Sequence, residues 1–339
     1  MRTNAFVGKL RSFTRRQEEL AEARAKIARK NKTLEGLRRR LEAKEQELAK
    51  ARAMLAATQG ETHAAMRPEN FVWLFGSGRT GSTWLGSMLG DLRGHATWNE
   101  PYLGEIFGSA YLRAWGWQRA REHFVLGNAY KGVWQRSIRT FVLDGAAARF
   151  SEVTSGGYLV IREPHGTIGA PLLMEALPES RMILLVRDPR DVAASALDAH
   201  RENSWTSKLM DRSDGATFAD DNPSEFVTQR ARVYLLDFTS GKAAYDAHEG
   251  PKIIVKYEDL RYDTLGELKR IVSGLGIPIE EEPLRHVVEK HAWENIPADQ
   301  KGPGKPRRKA TPGGWKEDLT PEQAEIVKEI ASPVFNEFY

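Results

Sequence analysis

The stretch FVWLFGSGRTGSTWL, residues Phe71 to Leu85, contains the most informative pattern in this sequence. Five apolar residues typical of a β-strand lead into a loop that contains Gly76, Gly78 and Gly81, and apolar residues then return at helical spacing. A strand, a glycine-rich loop and a helix in this order direct backbone N–H groups and a helix N-terminus towards an anion. The stretch therefore predicts a phosphate-binding loop in an α/β domain.

This loop differs from the P-loop of nucleotide triphosphatases at one position. The spacing from Gly76 through Gly81 to Thr83 fits the P-loop pattern. Ser82, however, replaces the lysine that contacts the β- and γ-phosphates of a triphosphate. Arg79 lies inside the loop, where a guanidinium can bind two oxygens at once. We therefore expect a shorter and less charged donor, such as a sulfuryl group on adenosine 5′-phosphate, held without a metal. A P-loop kinase or another triphosphate enzyme is the first alternative.

The rest of the chain alternates short apolar runs with helical stretches. Near-continuous apolar runs separated by helices indicate a parallel sheet that is covered on both faces. The strongest strand candidates are Phe71 to Phe75, Tyr158 to Ile161, Met182 to Val186 and Ile253 to Val255. Helices are expected over Ser82 to Leu92, Pro171 to Leu177, Asp191 to Ala199, Ser224 to Ala247, Leu265 to Gly274 and Pro321 to Asn336. The predicted fold class is α/β, a three-layer P-loop-like domain with a central parallel sheet, preceded by an N-terminal α-helical coiled coil.

The N-terminal segment carries the coiled-coil pattern and the basic charge. Residues 1–66 hold 16 Lys and Arg against 8 Asp and Glu. Apolar residues recur every seventh position, at Leu20, Ile27, Leu34, Leu41, Leu48 and Leu55. We expect a basic arm over residues 1–56 that forms a homo-oligomer, a linker over 57–69 and the catalytic domain over 70–339. A single solvated helix is the alternative for the arm, and a scaffold with an inert nucleotide fold is the alternative for the whole chain.

Composition limits the possible metal ligands and predicts where the protein is located. The chain has 339 residues, is 41% hydrophobic and contains no cysteine, which excludes disulfides and thiolate metal ligands. No apolar stretch is long enough to span a bilayer, and the first residues lack the apolar core of a secretory signal. A cytoplasmic location is therefore expected. The basic arm could contact an anionic membrane surface, and we expect no nucleic acid partner.

The loop sequence RTGSTW, Arg79 to Trp84, resembles the 5′-phosphosulfate loop of the sulfotransferases that use 3′-phosphoadenosine 5′-phosphosulfate (PAPS). That family has a basic residue followed by Ser, Gly, Thr, Thr and Trp. The resemblance implies that Trp84 lies against adenine. It also implies a set of residues that hold the 5′-phosphate and the sulfate, namely Arg79, Thr80, Gly81, Ser82 and Thr83.

Two later strand ends match the same family in the same order. RMILLVRDPRDVAASAL resembles its 3′-phosphate motif, in which an arginine at a strand end and a serine eight residues later bind the second phosphate. These are Arg187 and Ser195 here. VKYEDLRYDT resembles the strand end written YEDL in the family, and the resemblance implies that Tyr257 approaches adenine.

A C-terminal segment completes the resemblance. GPGKPRRKATPGGWKEDLT resembles the family segment RKGxxGDWK, which implies that Arg308 and Lys309 contact the 3′-phosphate. Ala310 replaces a glycine and Gly314 an aspartate, so the backbone of this loop departs from the family pattern. Because the segment is rich in glycine, proline and basic residues, we expect it to be mobile without ligand and to become ordered on the 3′-phosphate.

Two side chains are candidates for the base that takes the acceptor's proton. Glu100, in HATWNEPYLGE, matches the glutamate base of the tyrosylprotein branch and of several carbohydrate and bacterial sulfotransferases. His165, in VIREPHGT, lies one position later than the histidine of the cytosolic small-molecule members. In the same segment Arg162 replaces a catalytic lysine of the tyrosylprotein branch. We expect Glu100, Arg162 and Arg79 to be catalytic, with His165 as the alternative base.

The acceptor is expected to be a hydroxylated molecule. Aromatic residues are concentrated between positions 98 and 134, and aromatic faces with polar edges suit a sugar or another large alcohol. Helix core is the other interpretation of this cluster. The acceptor stays open among a glycan, a lipid or polyketide, and a peptide tyrosine. The aromatic cluster consists of Trp98, Tyr102, Phe107, Tyr111, Trp115, Trp117, Phe124, Tyr130 and Trp134.

Overall fold

The structure is a computed structural model that describes Leu41, Lys44 and residues 66–339, except 115, 152, 154–156, 203, 207–218, 306 and 308. Contacts divide the chain into two units, Met1–Thr62 and His63–Tyr339. The predicted coiled coil lies outside the described residues apart from Leu41 and Lys44, which are both helical.

A five-stranded parallel sheet forms the centre of the second unit, with the strand order β2-β3-β1-β4-β5. The central strand β1 is buried along its whole length, because it pairs with β3 on one side and β4 on the other. This arrangement confirms the predicted α/β fold with a parallel sheet. The strands are β1 (Phe71–Phe75), β2 (Ala96–Asn99), β3 (Leu159–Arg162), β4 (Arg181–Val186) and β5 (Lys252–Lys256).

Helices connect the strands and cover the sheet. Short 3-10 turns lie at Pro68–Asn70, Asn128–Tyr130, Thr167–Gly169, Trp293–Asn295 and Ala298–Gln300. The α-helices are α1 (Ser82–Gly90), α2 (Leu103–Arg113), α3 (Gly116–Arg119), α4 (Lys131–Arg149), α5 (Ala170–Ala176), α6 (Pro189–Ala199), α7 (Pro223–Ala247), α8 (Tyr257–Tyr262), α9 (Thr264–Gly274), α10 (Glu281–Lys290), α11 (Trp315–Asp318), α12 (Pro321–Ile330) and α13 (Ser332–Phe338). In the part of the chain that the structure describes, no helix is both long and apolar enough to cross a membrane.

The two faces of the sheet carry separate apolar cores. Alternate residues of β1 point to opposite faces, so Trp73 and its neighbours Phe71 and Phe75 join one core and Val72 and Leu74 join the other. Helices α2, α4, α5 and α7 contribute to the first core, and α1, α9 and α10 contribute to the second. The domain therefore has the expected three layers.

Some elements differ from the sequence-based expectation. Strand β2 was not predicted, because ATWN is short and only partly buried at the sheet edge. Helices α2, α3, α4, α8, α10 and α11 were also not predicted. The single helix expected at the C-terminus is two helices, since α12 ends at Ile330 and a proline lies in the first turn of α13.

The sheet places all strand ends of interest on one edge. Its strands are parallel, so the residues that follow each strand emerge together at the carboxyl edge. Gly76 follows β1, Glu100 follows β2, and Glu163 follows β3. Arg187 follows β4 and Tyr257 follows β5. The segments singled out in the sequence therefore meet at one place.

Candidate active site

A cavity of about 740 Å³ opens at this carboxyl edge. Among the predicted site residues, those that line it are Arg79, Gly81, Ser82, Thr83, Trp84, Glu100, Arg162, His165, Arg187, Ser195, Tyr257 and Lys309. Thr80 is completely buried instead, and its hydroxyl donates to the carbonyl of Ser77 at 2.7 Å. Arg308 lies outside the described residues.

Hydrogen bonds to the side chains of Thr167 and Asp237 hold the glycine-rich loop in place. The Gly76 amide donates to the Thr167 hydroxyl oxygen at 3.0 Å, and the Ser77 hydroxyl donates to an Asp237 carboxyl oxygen at 2.7 Å. Gly81 precedes α1 with a φ of 97°, and a Cβ there would lie 2.6 Å from the Tyr257 ring. Glycine is therefore required at this position both for its backbone conformation and for the contact with the aromatic ring.

Hydrogen bonds join the loop to the strand end of β4. Arg79 Nε donates to Ser195 Oγ at 3.1 Å, and Arg187 Nη1 donates to the Arg79 carbonyl at 3.0 Å. The Arg187 guanidinium also lies 4.2 Å from the centre of the Tyr257 ring. The two predicted phosphate motifs consequently form one connected surface.

Aromatic rings form the wall next to this surface. Trp84 and Tyr257 meet edge to face with ring centres 6.3 Å apart, and Trp84 Nε1 donates to the His291 carbonyl at 3.0 Å. Trp293 lines the same cavity. Trp293 was not predicted as a site residue, because its segment carries no regular pattern and only the tertiary fold brings it beside the cavity.

Helix α6 anchors both ends of the C-terminal loop. The Asp198 carboxylate accepts the Gly304 amide at 2.9 Å. The two oxygens of Asp191 accept the amides of Gly313 and Trp315 at 2.8 and 2.9 Å. Asp191 is completely buried. It was not predicted as a site residue. The available signal was an acidic residue followed by small apolar residues in the sequence DVAASAL, which is unusual for an exposed helix face. The loop that was expected to be mobile is thus tied down at two points.

Glu100 is held between a guanidinium and an imidazole. Its Oε1 lies 2.7 Å from Arg162 Nη1, and its Oε2 lies 3.8 Å from His165 Nε2. Arg162 Nε also donates to the side chain of Asn99 at 3.1 Å, which fixes the direction of the guanidinium. Tyr102 stacks on the His165 ring with the centres 5.8 Å apart. Both candidate bases therefore lie next to each other in the cavity lining.

The electrostatic surroundings of His165 favour its neutral form. Burial lowers the pKa of His165, and the guanidinium groups of Arg162, Arg230 and Arg79 lower that pKa further, although Glu100 acts in the opposite direction. Half of its side-chain surface is nevertheless exposed, so the effect is moderated by solvent. The neutral imidazole of His165 has a ring nitrogen that can accept a proton.

Strained backbone is concentrated at this cavity. Among the described residues, the non-glycine residues with positive φ are Arg79 at 72°, Glu100 at 47°, Tyr102 at 59° and Ala310 at 52°. All four line the cavity. Such conformations persist where surrounding contacts enforce them, and they are concentrated at functional sites. Ala310 is the position at which the family pattern has glycine, and its conformation explains that preference.

Most of the predicted aromatic cluster is core rather than cavity wall. Trp134 is buried, Trp98 and Phe107 pack on the first core, and Trp117 is exposed on the surface. Trp115 lies outside the described residues. Tyr102 is the member of the cluster that lines the cavity, together with the aromatic rings of Trp84, Trp205, Tyr257 and Trp293.

Positive charge dominates the cavity lining. Its cationic side chains are Arg79, Arg162, Arg187, Arg261, Arg307 and Lys309, and Glu100 is the one carboxylate among the described lining residues. No cluster of three or more His, Asp or Glu side chains that could bind a metal occurs within the described parts of the chain. The lining can balance more than one anionic group of a ligand.

Most of the chain matches the model of a known protein family. The model of the family described as Sulfotransferase domain matches residues 69–338. The chain belongs to the sulfotransferase family. This sulfotransferase is therefore an enzyme of the PAPS-dependent class, in which a sulfuryl group passes to an acceptor. The family resemblance of the loop, the two strand ends and the C-terminal segment is thereby confirmed.

Solved structures resemble the sulfotransferase in fold. STF9 from Mycobacterium avium has 13% sequence identity and a TM-score of 0.52, and the match covers 86% of this chain and 83% of that one. Mouse SULT7A1 complexed with PAP has 14% identity, a TM-score of 0.48 and coverage of 77% and 83%. STF1 from Mycobacterium tuberculosis has 16% identity, a TM-score of 0.47 and coverage of 83% and 81%. No curated protein sequence matches the chain.

Proposed function

We propose that the sulfotransferase binds PAPS in this cavity, with the 5′-phosphosulfate on the glycine-rich loop and the 3′-phosphate beside Arg187 and Ser195. The observation that carries the proposal is the connected surface of Arg79, Ser195 and Arg187, which offers positive charge at two separate places. Arg79, Gly81, Ser82 and Thr83 hold the phosphosulfate in this proposal. Thr80 shapes the loop, because its hydroxyl is used internally.

The remaining contacts follow from the same orientation. Trp84 and Tyr257 contact adenine through their rings, and Lys309 reaches the 3′-phosphate from the C-terminal loop. Lys309 lies between 2.7 and 3.3 Å from carboxylate oxygens of Glu317 and Asp318, so it exchanges these partners for the phosphate when the nucleotide binds. Arg308 belongs to the same proposal by resemblance.

The catalytic step requires a base, a fixed acceptor and positive charge. PAPS supplies the sulfuryl group, whose bond to the phosphate oxygen breaks as a bond to the acceptor oxygen forms. Glu100 takes the proton of the acceptor hydroxyl, since it lines the cavity and Arg162 fixes one of its two oxygens. Arg79 and Arg162 stabilise the charge that develops on the bridging and sulfuryl oxygens.

His165 is the second candidate for the base. Its ring nitrogen faces the same carboxylate at 3.8 Å, and its neutral form can accept a proton. We favour Glu100 because its carboxylate is oriented by Arg162 and its backbone has a positive φ of 47°, whereas His165 stacks on Tyr102 and is half exposed. In this arrangement His165 and Tyr102 form an aromatic wall next to Glu100.

The acceptor is a hydroxylated molecule with an extended face. Tyr102, His165 and Trp205 line the same cavity as Glu100, and flat side chains of this kind pack against a sugar ring, a phenol or an acyl chain. A glycan, a lipid or polyketide and a peptide tyrosine are therefore the acceptor classes to test. The homo-oligomeric arm, the domain boundaries and the cytoplasmic location stay predictions.

Two measurements test the proposal. The product nucleotide 3′,5′-ADP should raise the melting temperature strongly, whereas Mg-ATP should raise it weakly, because ligands stabilise the state that they bind. Incubation with ³⁵S-labelled PAPS and a panel of 4-nitrophenol, a glucoside, decanol and a tyrosine peptide should label one class. Stabilisation by Mg-ATP that equals that by 3′,5′-ADP would support the kinase alternative instead.

A further inference from the structure

The turn that presents Glu100 needs an external support. Glu100 and Tyr102 both have positive φ, with Pro101 between them. Neither residue is glycine, so the turn is unfavourable for an isolated chain. A backbone of this kind persists only where the surrounding structure enforces it.

Glu163 provides a support from the neighbouring strand end. Its Oε1 accepts the amide of Leu103, the first residue of α2, at 2.8 Å. Tyr102 precedes α2 without a side-chain capping bond of its own. The Glu163 carboxyl therefore caps the helix from outside the helix, and a carboxylate is favourable at a helix N-terminus.

The sheet register explains why Glu163 lies at this position. Strands β2 and β3 are parallel, and Asn99 is the register partner of Arg162. The next residue of each strand end is Glu100 or Glu163, so the two segments leave the sheet side by side. The Glu100 amide donates to the Arg162 carbonyl at 2.9 Å, and the Arg162 side chain forms an ion pair with Glu100. Arg162, the last residue of β3, and Glu163, the residue after it, thus hold the beginning and the end of the turn.

Close backbone packing leaves Glu163 little freedom. The residue is completely buried. Gly104 of α2 lies against the backbone of Gly166, and Gly108 lies against Gly169, with too little room for a Cβ at either helix position. Helix α2 is consequently seated on the segment that follows Glu163. The carboxyl cannot move away from Leu103 without disturbing this contact.

We propose that Glu163 is a positioning residue that locks the turn from Glu100 to Tyr102, so that Glu100 faces the acceptor. This inference rests on the proposed role of Glu100 as the base. Glu163 itself lies beneath the cavity surface and is not among its lining residues. Burial raises the pKa of Glu163 to about 7, against the lowering effects of the Leu103 amide and Arg162, which shows how far the carboxyl is removed from water.

Matched substitutions separate the hydrogen bond from the charge. Glu163→Gln keeps an oxygen that can accept the Leu103 amide, Glu163→Asp moves the carboxylate away by one methylene, and Glu163→Ala removes it. With the acceptor that the labelled-PAPS panel identifies, Glu163→Ala should lower kcat by about 10²-fold, the scale expected for a misplaced catalytic group. The dissociation constant for 3′,5′-ADP should stay within about twofold, and Glu163→Gln should retain most of the turnover. Glu163→Asp gives the same comparison if the alanine variant does not fold.

A double-mutant cycle distinguishes positioning from general stability. If Glu163 acts through Glu100, Glu163→Ala should cost no further activity in the Glu100→Gln background. A further full loss in that background, or an unchanged kcat for Glu163→Ala with Glu100 intact, would overturn the proposal. Amide hydrogen exchange over residues 100–106, with 3′,5′-ADP bound, should be faster in Glu163→Ala than in Glu163→Gln, and equal rates would also overturn it. If Glu100→Gln alone keeps wild-type turnover, the base assignment fails, while the exchange rates still test whether Glu163 holds the turn.

Discussion

Arg79 Nε donates a hydrogen bond to Ser195 Oγ at 3.1 Å and thereby joins two segments that are 116 residues apart. One residue belongs to the glycine-rich loop and the other to α6. In the sequence each was proposed to bind a different end of PAPS. In the proposed binding mode, one connected unit would therefore contact both ends of the nucleotide.

Replacement of Arg79 should affect both turnover and binding. Arg79→Ala should lower kcat by about 10² to 10³, as loss of a preorganised donor does in other enzymes. Arg79→Lys keeps a charge but loses the planar guanidinium and the bond to Ser195, so recovery should be partial. Steady-state kinetics and calorimetric binding of 3′,5′-ADP measure the two effects. Full activity of Arg79→Lys would show that charge alone is sufficient.

Replacement of Glu100 tests the base. Glu100→Gln should lower kcat by about 10² to 10⁴, the usual contribution of a general base, and should leave 3′,5′-ADP binding intact. Glu329→Gln, an exposed change on α12, is the matched control. His165→Gln should retain most of the turnover. A Glu100→Gln enzyme within about threefold of wild type, together with an inactive His165→Gln enzyme, would transfer the role to His165.

The C-terminal loop should depend on its anchors in α6. Asp191→Asn leaves one oxygen for the two amides of Gly313 and Trp315, and hydrogen bonds to charged groups contribute about 1.5–3 kcal/mol each. Exchange of these amides should accelerate by about tenfold or more, since 1.4 kcal/mol corresponds to tenfold. Asp246→Asn, on the surface of α7, should change nothing in the loop.

The nucleotide should protect the segment between those anchors. Addition of 3′,5′-ADP should slow amide exchange between residues 304 and 313, because Lys309 exchanges its carboxylate partners for a phosphate. Hydrogen exchange with mass spectrometry measures this directly. Exchange that is the same with and without nucleotide would argue against a role of this loop in binding.

Replacement of Ala310 by glycine should lower the stability of the protein less than replacement of an alanine inside a helix. Its φ of 52° is left-handed, and that conformation costs an L-residue about 1–2 kcal/mol. Ala310→Gly relieves this cost, offset by about 0.4–1 kcal/mol from the freer unfolded chain. The free energy of unfolding in urea should therefore stay constant or rise slightly. Ala243→Gly, at an exposed position of α7, should lose about 0.5–1 kcal/mol. Equal losses in both variants would contradict the strain argument.

Asp237 should make stability depend on pH. Burial raises the pKa of Asp237 to about 7, although the Ser77 hydroxyl and Arg230 lower it. The folded state therefore retains a proton that the unfolded chain has lost, so this contribution to stability is present at low pH and declines as pH rises towards 7. Asp237→Asn removes the decline, and its melting temperature relative to wild type should increase between pH 4 and 7 and level off above. Asp246→Asn should show a constant difference, and the same constancy in Asp237→Asn would refute the prediction.

Local patterns were sufficient for much of the fold. The strand, loop and helix from Phe71 onwards were predicted within two residues, because apolar periodicity and glycine positions act over short distances. Strand β2 was missed because an edge strand of four partly buried residues has no strong pattern. The aromatic cluster between positions 98 and 134 was left open between core and acceptor site, since the position of an aromatic residue in the sequence does not reveal what covers its side chain.

Residue types and spacings were enough to predict the chemical groups of the site: a glycine-rich loop of the kind that binds anions, arginines at strand ends and a glutamate ahead of a proline. Those properties are local. Which of these groups meet became visible in the folded chain alone. The pairing of Asn99 with Arg162 across two parallel strands places Glu100 beside Arg162 and Glu163, and α6 brings Asp191 beneath the C-terminal loop. Such encounters depend on strand register and helix packing between distant segments, which no short stretch of sequence encodes.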